Sequence, residues 1–239
     1  MAVSTSSSGS QRFDAVIFDA GGVLVLPDPT VLAPLLEYYG GDASIEAHVR
    51  AHYAAMKAKA DADSGEGDWG VYNQAYVSAV GVDAGDVEEA IEVLDRTRYH
   101  ATWRYVIDDS RSALDRLAAA GVPMGVVSNA SGQIEAMLAR SICQVGDGPH
   151  VSMRVIVDSH LVGVAKPDPR IFDFALDSFA EFERSRVAYV GDSVTMDVEC
   201  ARLVGLHPIL LDPYDDHASA DFERIRTGSD LADELAPRA

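Results

Sequence analysis

Short apolar runs alternating with amphipathic segments fill the second half of this sequence, and that alternation restricts the fold more than any other feature. Ser110 to Ala120 carries apolar residues at helical spacing and is closed by Gly121, after which Val122 to Val127 reads as a strand, Gln133 to Arg140 as a helix and Arg154 to Val157 as a strand. Asp168 to Phe179 is again helical, Val187 to Val190 a strand, Thr195 to Val204 a helix and His207 to Leu211 a strand. Helices between successive strands make the sheet parallel, with right-handed crossovers. The expected fold class is α/β, a doubly wound parallel sheet. The segment after Asp212 is acidic and less regular.

The first half is organised differently. Arg12 to Leu26 reads as a strand, a glycine turn and a short apolar run, broken by Pro27 and Pro29. Residues 30–39 then form a short helix ended by Gly40-Gly41, and Ile45, Val49, Tyr53 and Met56 recur at spacings of three or four. A third helix carries Trp69, Tyr72 and Tyr76, and a fourth runs from Asp86 to Tyr99. No strand pattern interrupts these roughly 80 residues. The expected division is a core of residues 12–26 and 109–239, a helical insertion at 27–108, and a disordered tail at 1–11. The opening MAVSTSSSGSQR lacks the apolar centre of a signal peptide, which points to the cytoplasm.

In a doubly wound sheet, ligands bind beyond the carboxyl ends of the strands, where the strand order reverses. Asp19, Ser128 and Asp192 each fall at or just past a predicted strand end, and Lys166 falls in the loop entering a helix beside that rim. An aspartate at the tip of a buried strand, followed by Gly21-Gly22, is placed to attack a substrate. Asp19 and Asp192 together offer the hard oxygen ligands that magnesium prefers. Asp197 could orient a metal-bound water or hold Lys166; it reads equally as a first-turn carboxylate favoured by the helix dipole.

The segments FDAGGVL, VVSNAS, AKPDPRIF and YVGDSVTMD carry these residues. Together they resemble the four motifs of the haloacid dehalogenase (HAD) superfamily, in that family's order, and the insertion resembles the helical cap that many members place between the first and second motifs. The resemblance implies a Rossmann-like core and an aspartyl-nucleophile hydrolase, usually a magnesium-dependent phosphatase of a small phosphorylated metabolite working through an aspartyl-phosphate. By resemblance, Asp19 is the nucleophile, and Ser128, with Asn129 beside it, binds a phosphoryl oxygen. Lys166 stabilises the shared negative charge. Asp19, Asp192 and the backbone carbonyl of Gly21 hold Mg2+. Family phosphatases usually carry a second aspartate, the general acid, where this chain has Gly21. That departure leaves three options: a leaving group needing little protonation, an acid from cap or substrate, or no turnover. Gly21→Asp is expected to restore an acid if the local backbone admits a side chain. A metal-free 2-haloacid dehalogenase and a non-catalytic domain binding a phosphorylated ligand or protein are the alternatives; Asp192 argues against the first and Gly21 supports the second.

Charge bears on partners. With 19 basic and 38 acidic residues the formal net charge is -19, which repels a nucleic acid backbone. It repels a phosphate substrate too, so a phosphatase on this chain needs a cation in its pocket. Lysine is scarce: Lys57, Lys59 and Lys166 are the only three, and one of them falls in the third motif. No charge-free stretch is long enough to span a bilayer, and Cys143 and Cys200 fit neither a redox nor a metal motif. In the insertion, Arg50 and Lys57 share a helical stripe with His48, His52 and Lys59 nearby, which either meets an anionic substrate or is solvated; Trp69, Tyr72 and Tyr76 either stack on substrate or form cap core. The sequence leaves substrate identity and oligomeric state open.

Overall fold

The computed structural model describes residues 12–65, 67–97 and 99–236; the expected tail at 1–11 lies outside the described residues. The chain enters the sheet with β1 (Ala15–Phe18), turns through the glycine pair into β2 (Val25–Pro27), and passes into α1 (Pro29–Glu37), α2 (Ile45–Asp61), α3 (Trp69–Ala79) and α4 (Val87–Thr97). It returns through β3 (Trp103–Val106) to α5 (Asp108–Ala119), β4 (Met124–Ser128), α6 (Ile134–Leu138), β5 (Cys143–Val145), β6 (Val151–Met153), β7 (Ile156–Asp158) and α7 (Ser159–Val162). Then come α8 (Asp173–Leu176), β8 (Val187–Gly191), α9 (Cys200–Leu203), β9 (His207–Leu211), β10 (Glu223–Ile225) and α10 (Gly228–Leu235).

The main sheet is parallel throughout, in the order β10-β9-β8-β1-β4-β7. Side chains alternate across a strand, so each face receives every second residue. Val16 and Phe18 of β1 enter one apolar cluster with Leu114, Val126 and Leu231, while Ala15 and Ile17 enter the opposite one with Val127, Phe172 and Tyr189. Both faces are buried, which is why these strands read as unbroken apolar runs. The inserted helices have a cluster of their own, built on Leu32, Leu36, Ala51, Tyr72, Tyr76 and Leu94.

Four local expectations need correction. The insertion is not free of strand: β3 pairs antiparallel with β2, and the two form the stem from which the helices rise. Its residues, Trp-Arg-Tyr-Val, are half-buried or exposed and lack the apolar run of a core strand. The segment 168–179 is a broken helix, with 3-10 turns at Pro169–Phe172 and Asp177–Phe179 flanking α8. The helix expected from Thr195 begins as a π-helical stretch, Val194–Glu199, that places Asp197 beneath the end of β8. The acidic segment after Asp212 supplies the edge strand β10 and α10, the latter opened by a Thr227–Asp230 capping box. An edge strand bearing Glu223 and Arg224 carries the charge that sheet edges tolerate, which hides it in a hydropathy pattern. Among the described residues no helix is long and apolar enough to cross a membrane, and Cys143 and Cys200 are free and buried.

Candidate active site

β1 and β8 lie side by side at the centre of the sheet; from β1 the chain builds outward through β4 and β7, and from β8 through β9 and β10 in the other direction. The crevice over this reversal is where a doubly wound sheet binds ligands. Asp19 directly follows β1 and Asp192 directly follows β8, while Ser128 is the last residue of β4. The Asp19 amide donates to the Val190 carbonyl at 2.8 Å, so the two strand exits are tied together. A cavity of about 520 Å3 opens here, lined on the core side by Asp19, Gly21, Ser128, Asn129, Lys166 and Asp192, and on the insertion side by Met56, Lys59, Trp69, Tyr99, His100 and Trp103. Its size suits a small metabolite.

Lys166 is buried, with 2% of its surface exposed. Its Nζ lies 3.1 Å from Asp19 Oδ2 and donates to Asp197 Oδ1 at 2.6 Å and to the Tyr189 hydroxyl at 2.9 Å. Asp197 is thereby the partner of Lys166, and its other oxygen accepts the Asp192 and Ser193 amides at 3.1 and 2.9 Å. Asn129 has both ends of its carboxamide on the Lys166 backbone: Nδ2 donates to the Lys166 carbonyl at 3.0 Å and Oδ1 accepts its amide at 2.8 Å. Asp158 shapes the loop after Ser128 by accepting the Gly132, Ile134 and His160 amides.

Burial pushes the Asp19 carboxyl up to about 7; Lys166 opposes the rise, and Asp197 and Asp192 add to it. Asp192 is raised as well, first by burial, with His52 pulling it back. Burial alone would lower the Lys166 ammonium, yet Asp19 and Asp197 hold it well above the ordinary lysine value. Asp19, Asp192 and Asp197 each offer an oxygen within 4.8 Å of the others. With all three ionised, three carboxylates against one ammonium leave two negative charges to compensate in a buried site, and a divalent cation on hard oxygen ligands matches both the charge and the donor chemistry. Asp197 accepts from Lys166, the Tyr189 hydroxyl and the Asp192 and Ser193 amides, whereas Asp19 accepts from the Ala20 amide and faces Lys166 and Asp192 accepts from His52, so Asp19 and Asp192 keep the more lone pairs for a cation.

Two glycines set the close approach. A Cβ on Gly22 would stand 1.9 Å from Asp192 Oδ2, with φ at +70°, so only glycine lets the turn pass beneath Asp192. Gly21 is not left-handed, but its Cβ would meet the Trp103 ring at 3.1 Å. The indole occupies the space into which a side chain at 21 would point. The backbone condition attached to restoring an acid there is met, and a side chain would require the indole to give by a few tenths of an ångström.

The stripe of Arg50 and Lys57 does not face the cavity. Arg50 makes a two-pronged ion pair with Asp216 at 2.7 and 2.9 Å, and Lys57 pairs with Asp61 one turn away on α2. Trp69 lines the cavity and carries the Lys59 ammonium 4.6 Å above its ring. Tyr72 and Tyr76 are core of the inserted helices, each meeting a histidine. Trp103, Tyr189 and Asp158 were not expected at the site, and His52, expected only beside the Arg50 stripe, instead brings its Nε2 to 2.9 Å from Asp192 Oδ2.

A sequence profile described as haloacid dehalogenase-like hydrolase matches residues 13–205. Human haloacid dehalogenase-like hydrolase domain-containing protein 3 is 32% identical over 130 residues, 54% of this chain and 49% of that protein, so the match spans about half of the relative. The phosphoserine phosphatase of Thermus thermophilus is 38% identical over 82 residues, 33% of this chain and 32% of that protein. Among solved structures, a HAD phosphatase from Thermococcus onnurineus covers 94% of this chain and 99% of its own length with a TM-score of 0.57 and 22% identity, a likeness of fold.

Proposed function

Because this chain belongs to the haloacid dehalogenase-like hydrolase family, a membership carried by four-fifths of its length, we propose that it is a magnesium-dependent phosphatase of a small phosphorylated metabolite, with residues 27–108 as the cap over the site. The observation that carries this reading is the Asp19 carboxylate at the cavity floor, 3.1 Å from a buried ammonium and grouped with Asp192.

Asp19 attacks phosphorus, the bond from phosphorus to the leaving oxygen breaks, and the leaving group departs with the electron pair. Lys166 holds positive charge against both Asp19 and the transferring phosphoryl group, and Asp197 fixes the direction of Lys166. Ser128 contributes its hydroxyl from the end of β4, and Asn129 acts by holding the Lys166 backbone in place. Water then hydrolyses the aspartyl-phosphate and frees Asp19. Mg2+, when held by Asp19, Asp192 and the Gly21 carbonyl, neutralises phosphoryl oxygens. The proton for the leaving group does not come from position 21, since the chain has no acid there.

The test is a panel of phosphorylated metabolites assayed with and without magnesium, with Asp19→Asn as blank. Magnesium-dependent phosphate release supports the reading; release of halide from a 2-haloacid without magnesium would establish the dehalogenase instead. Asp192→Asn is expected to weaken calorimetric magnesium affinity and lower activity at limiting cation, since a charged oxygen ligand is lost. Unchanged affinity would remove Asp192 from the ligand set.

The missing acid makes a separate expectation. Wild-type protein should turn over aryl or acyl phosphates far better than alkyl esters, because the former leave without a proton. Gly21→Asp should narrow that gap only as far as the Trp103 ring gives way to the new side chain, at a cost of about 1–3 kcal/mol by overpacking. Thermal unfolding and the aryl-to-alkyl ratio of kcat/KM read both effects; a narrowed gap without loss of stability would show that Trp103 yields freely.

A further inference from the structure

Two histidines one turn apart on α2 face two tyrosines one turn apart on α3. His48 Nδ1 meets the Tyr76 hydroxyl at 2.9 Å, and His52 Nδ1 meets the Tyr72 hydroxyl at 2.9 Å. All four side chains are buried, and the tyrosine rings stack with centroids 5.7 Å apart. The two rungs are alike within the helical insertion and differ in the other imidazole nitrogen. His48 Nε2 meets no hydrogen-bonding partner among the described residues, whereas His52 Nε2 reaches out of the insertion to Asp192 Oδ2 at 2.9 Å. A His–Tyr rung therefore packs the insertion without needing a partner on Nε2, and the bond to Asp192 is additional to that packing.

The chemistry of the contact is directional. An ionised Asp192 only accepts, so Nε2 carries the proton, and Nδ1 then accepts from the Tyr72 hydroxyl. Asp192 thus sets the tautomer, Tyr72 satisfies and orients the other ring nitrogen, and His52 holds one carboxylate oxygen of Asp192. Such an outer partner orients a metal-binding carboxylate and raises the affinity of the site. A neighbouring contact seats the same helix on the core: the Tyr53 hydroxyl donates to the Gly22 carbonyl at 2.8 Å. Within the insertion, the His52 ring stands edge-on to Trp103 with centroids 5.6 Å apart.

We propose that His52, held by Tyr72, is a positioning residue for a divalent cation on Asp192, so that a side chain of the insertion completes a site whose ligands all belong to the core. Cation affinity and the seating of the insertion are then coupled. This rests on the reading of Asp19 and Asp192 as cation ligands, and the experiment separates the two.

Magnesium is titrated calorimetrically into the full chain, as wild type, His52→Phe, His52→Gln and His48→Phe. His52→Phe is expected to weaken binding by about 10–100-fold, the usual effect of losing an outer-sphere partner. His52→Gln, whose amide can still donate to Asp192, should recover most of the affinity, and His48→Phe should match wild type. Equal or tighter binding in His52→Phe overturns the inference while leaving the cation reading intact; no binding in wild type overturns the cation reading itself. In wild-type protein with 15N-labelled histidine, magnesium should shift the His52 ring resonances and leave those of His48 in place. This readout needs no folded variant, and unmoved His52 resonances under saturating magnesium would also overturn the inference.

Discussion

Asp19→Asn is expected to lower turnover by about ten-thousand-fold or more, because the amide keeps the shape of the side chain and loses the charge that attacks phosphorus. The same substitution should not weaken the fold. In the cation-free protein the Asp19 carboxyl sits at about 7 against an ordinary 3.8, so the folded state binds its proton more tightly than the unfolded chain does. The stabilisation linked to that proton is complete below the ordinary value and is lost as pH rises through about 7. Measured without divalent cation, wild-type stability should therefore fall across this window, and Asp19→Asn should fall less. A variant that retained activity, or one destabilised at pH 8, would contradict the assignment.

Lys166→Met should have the largest effect on stability. The ammonium is buried against Asp19, Asp197 and Tyr189, and removing it leaves carboxylates facing one another without compensation. Breaking a buried pair in this way costs about 3–5 kcal/mol, a large share of the stability of a domain. Turnover should be lost with it. Adding Asp197→Asn to Lys166→Met should recover part of the stability and none of the activity, because the repulsion is relieved while the charge next to Asp19 is still missing. Urea unfolding of the single and double variants measures this. A Lys166→Met protein as stable as wild type would mean that the carboxylates take up protons at no cost. Lys166→Arg should also lose activity, since a planar fork does not fit where a compact ammonium makes three close contacts.

The strands that position the site were legible because a strand buried on both faces is written as an unbroken apolar run, and each such run ends at the polar residue that reaches the crevice: Asp19, Ser128, Asp192. The structure brings these together with Lys166 and Asp197 around one cavity. Elements with mixed faces were not legible. β3 and β10 are half-exposed and charged, and their pairing depends on partners far away in sequence. His52 was hidden for another reason. A histidine on an amphipathic helix has the same local signature whether it meets water, a tyrosine or a carboxylate 140 residues away. The available signal was the matched pairs, His48 with His52 and Tyr72 with Tyr76, each four apart on neighbouring helices. Trp103 was missed because only the folded backbone brings it over Gly21. Arg50, which the sequence left open between a substrate and solvent, instead answers Asp216 of the core.

The central claim is that Asp19 carries the phosphoryl group between two half-reactions, and covalent trapping tests it most directly. A substrate from the phosphate panel is mixed with enzyme and magnesium, the reaction is quenched in acid, and the peptide spanning β1 is weighed, with a parallel sample reduced by borohydride. The expected result is the added mass of one phosphoryl group on Asp19, its conversion to homoserine by borohydride, and neither change in Asp19→Asn. Steady magnesium-dependent phosphate release with an unmodified Asp19 peptide, sustained in Asp19→Asn, would contradict the account.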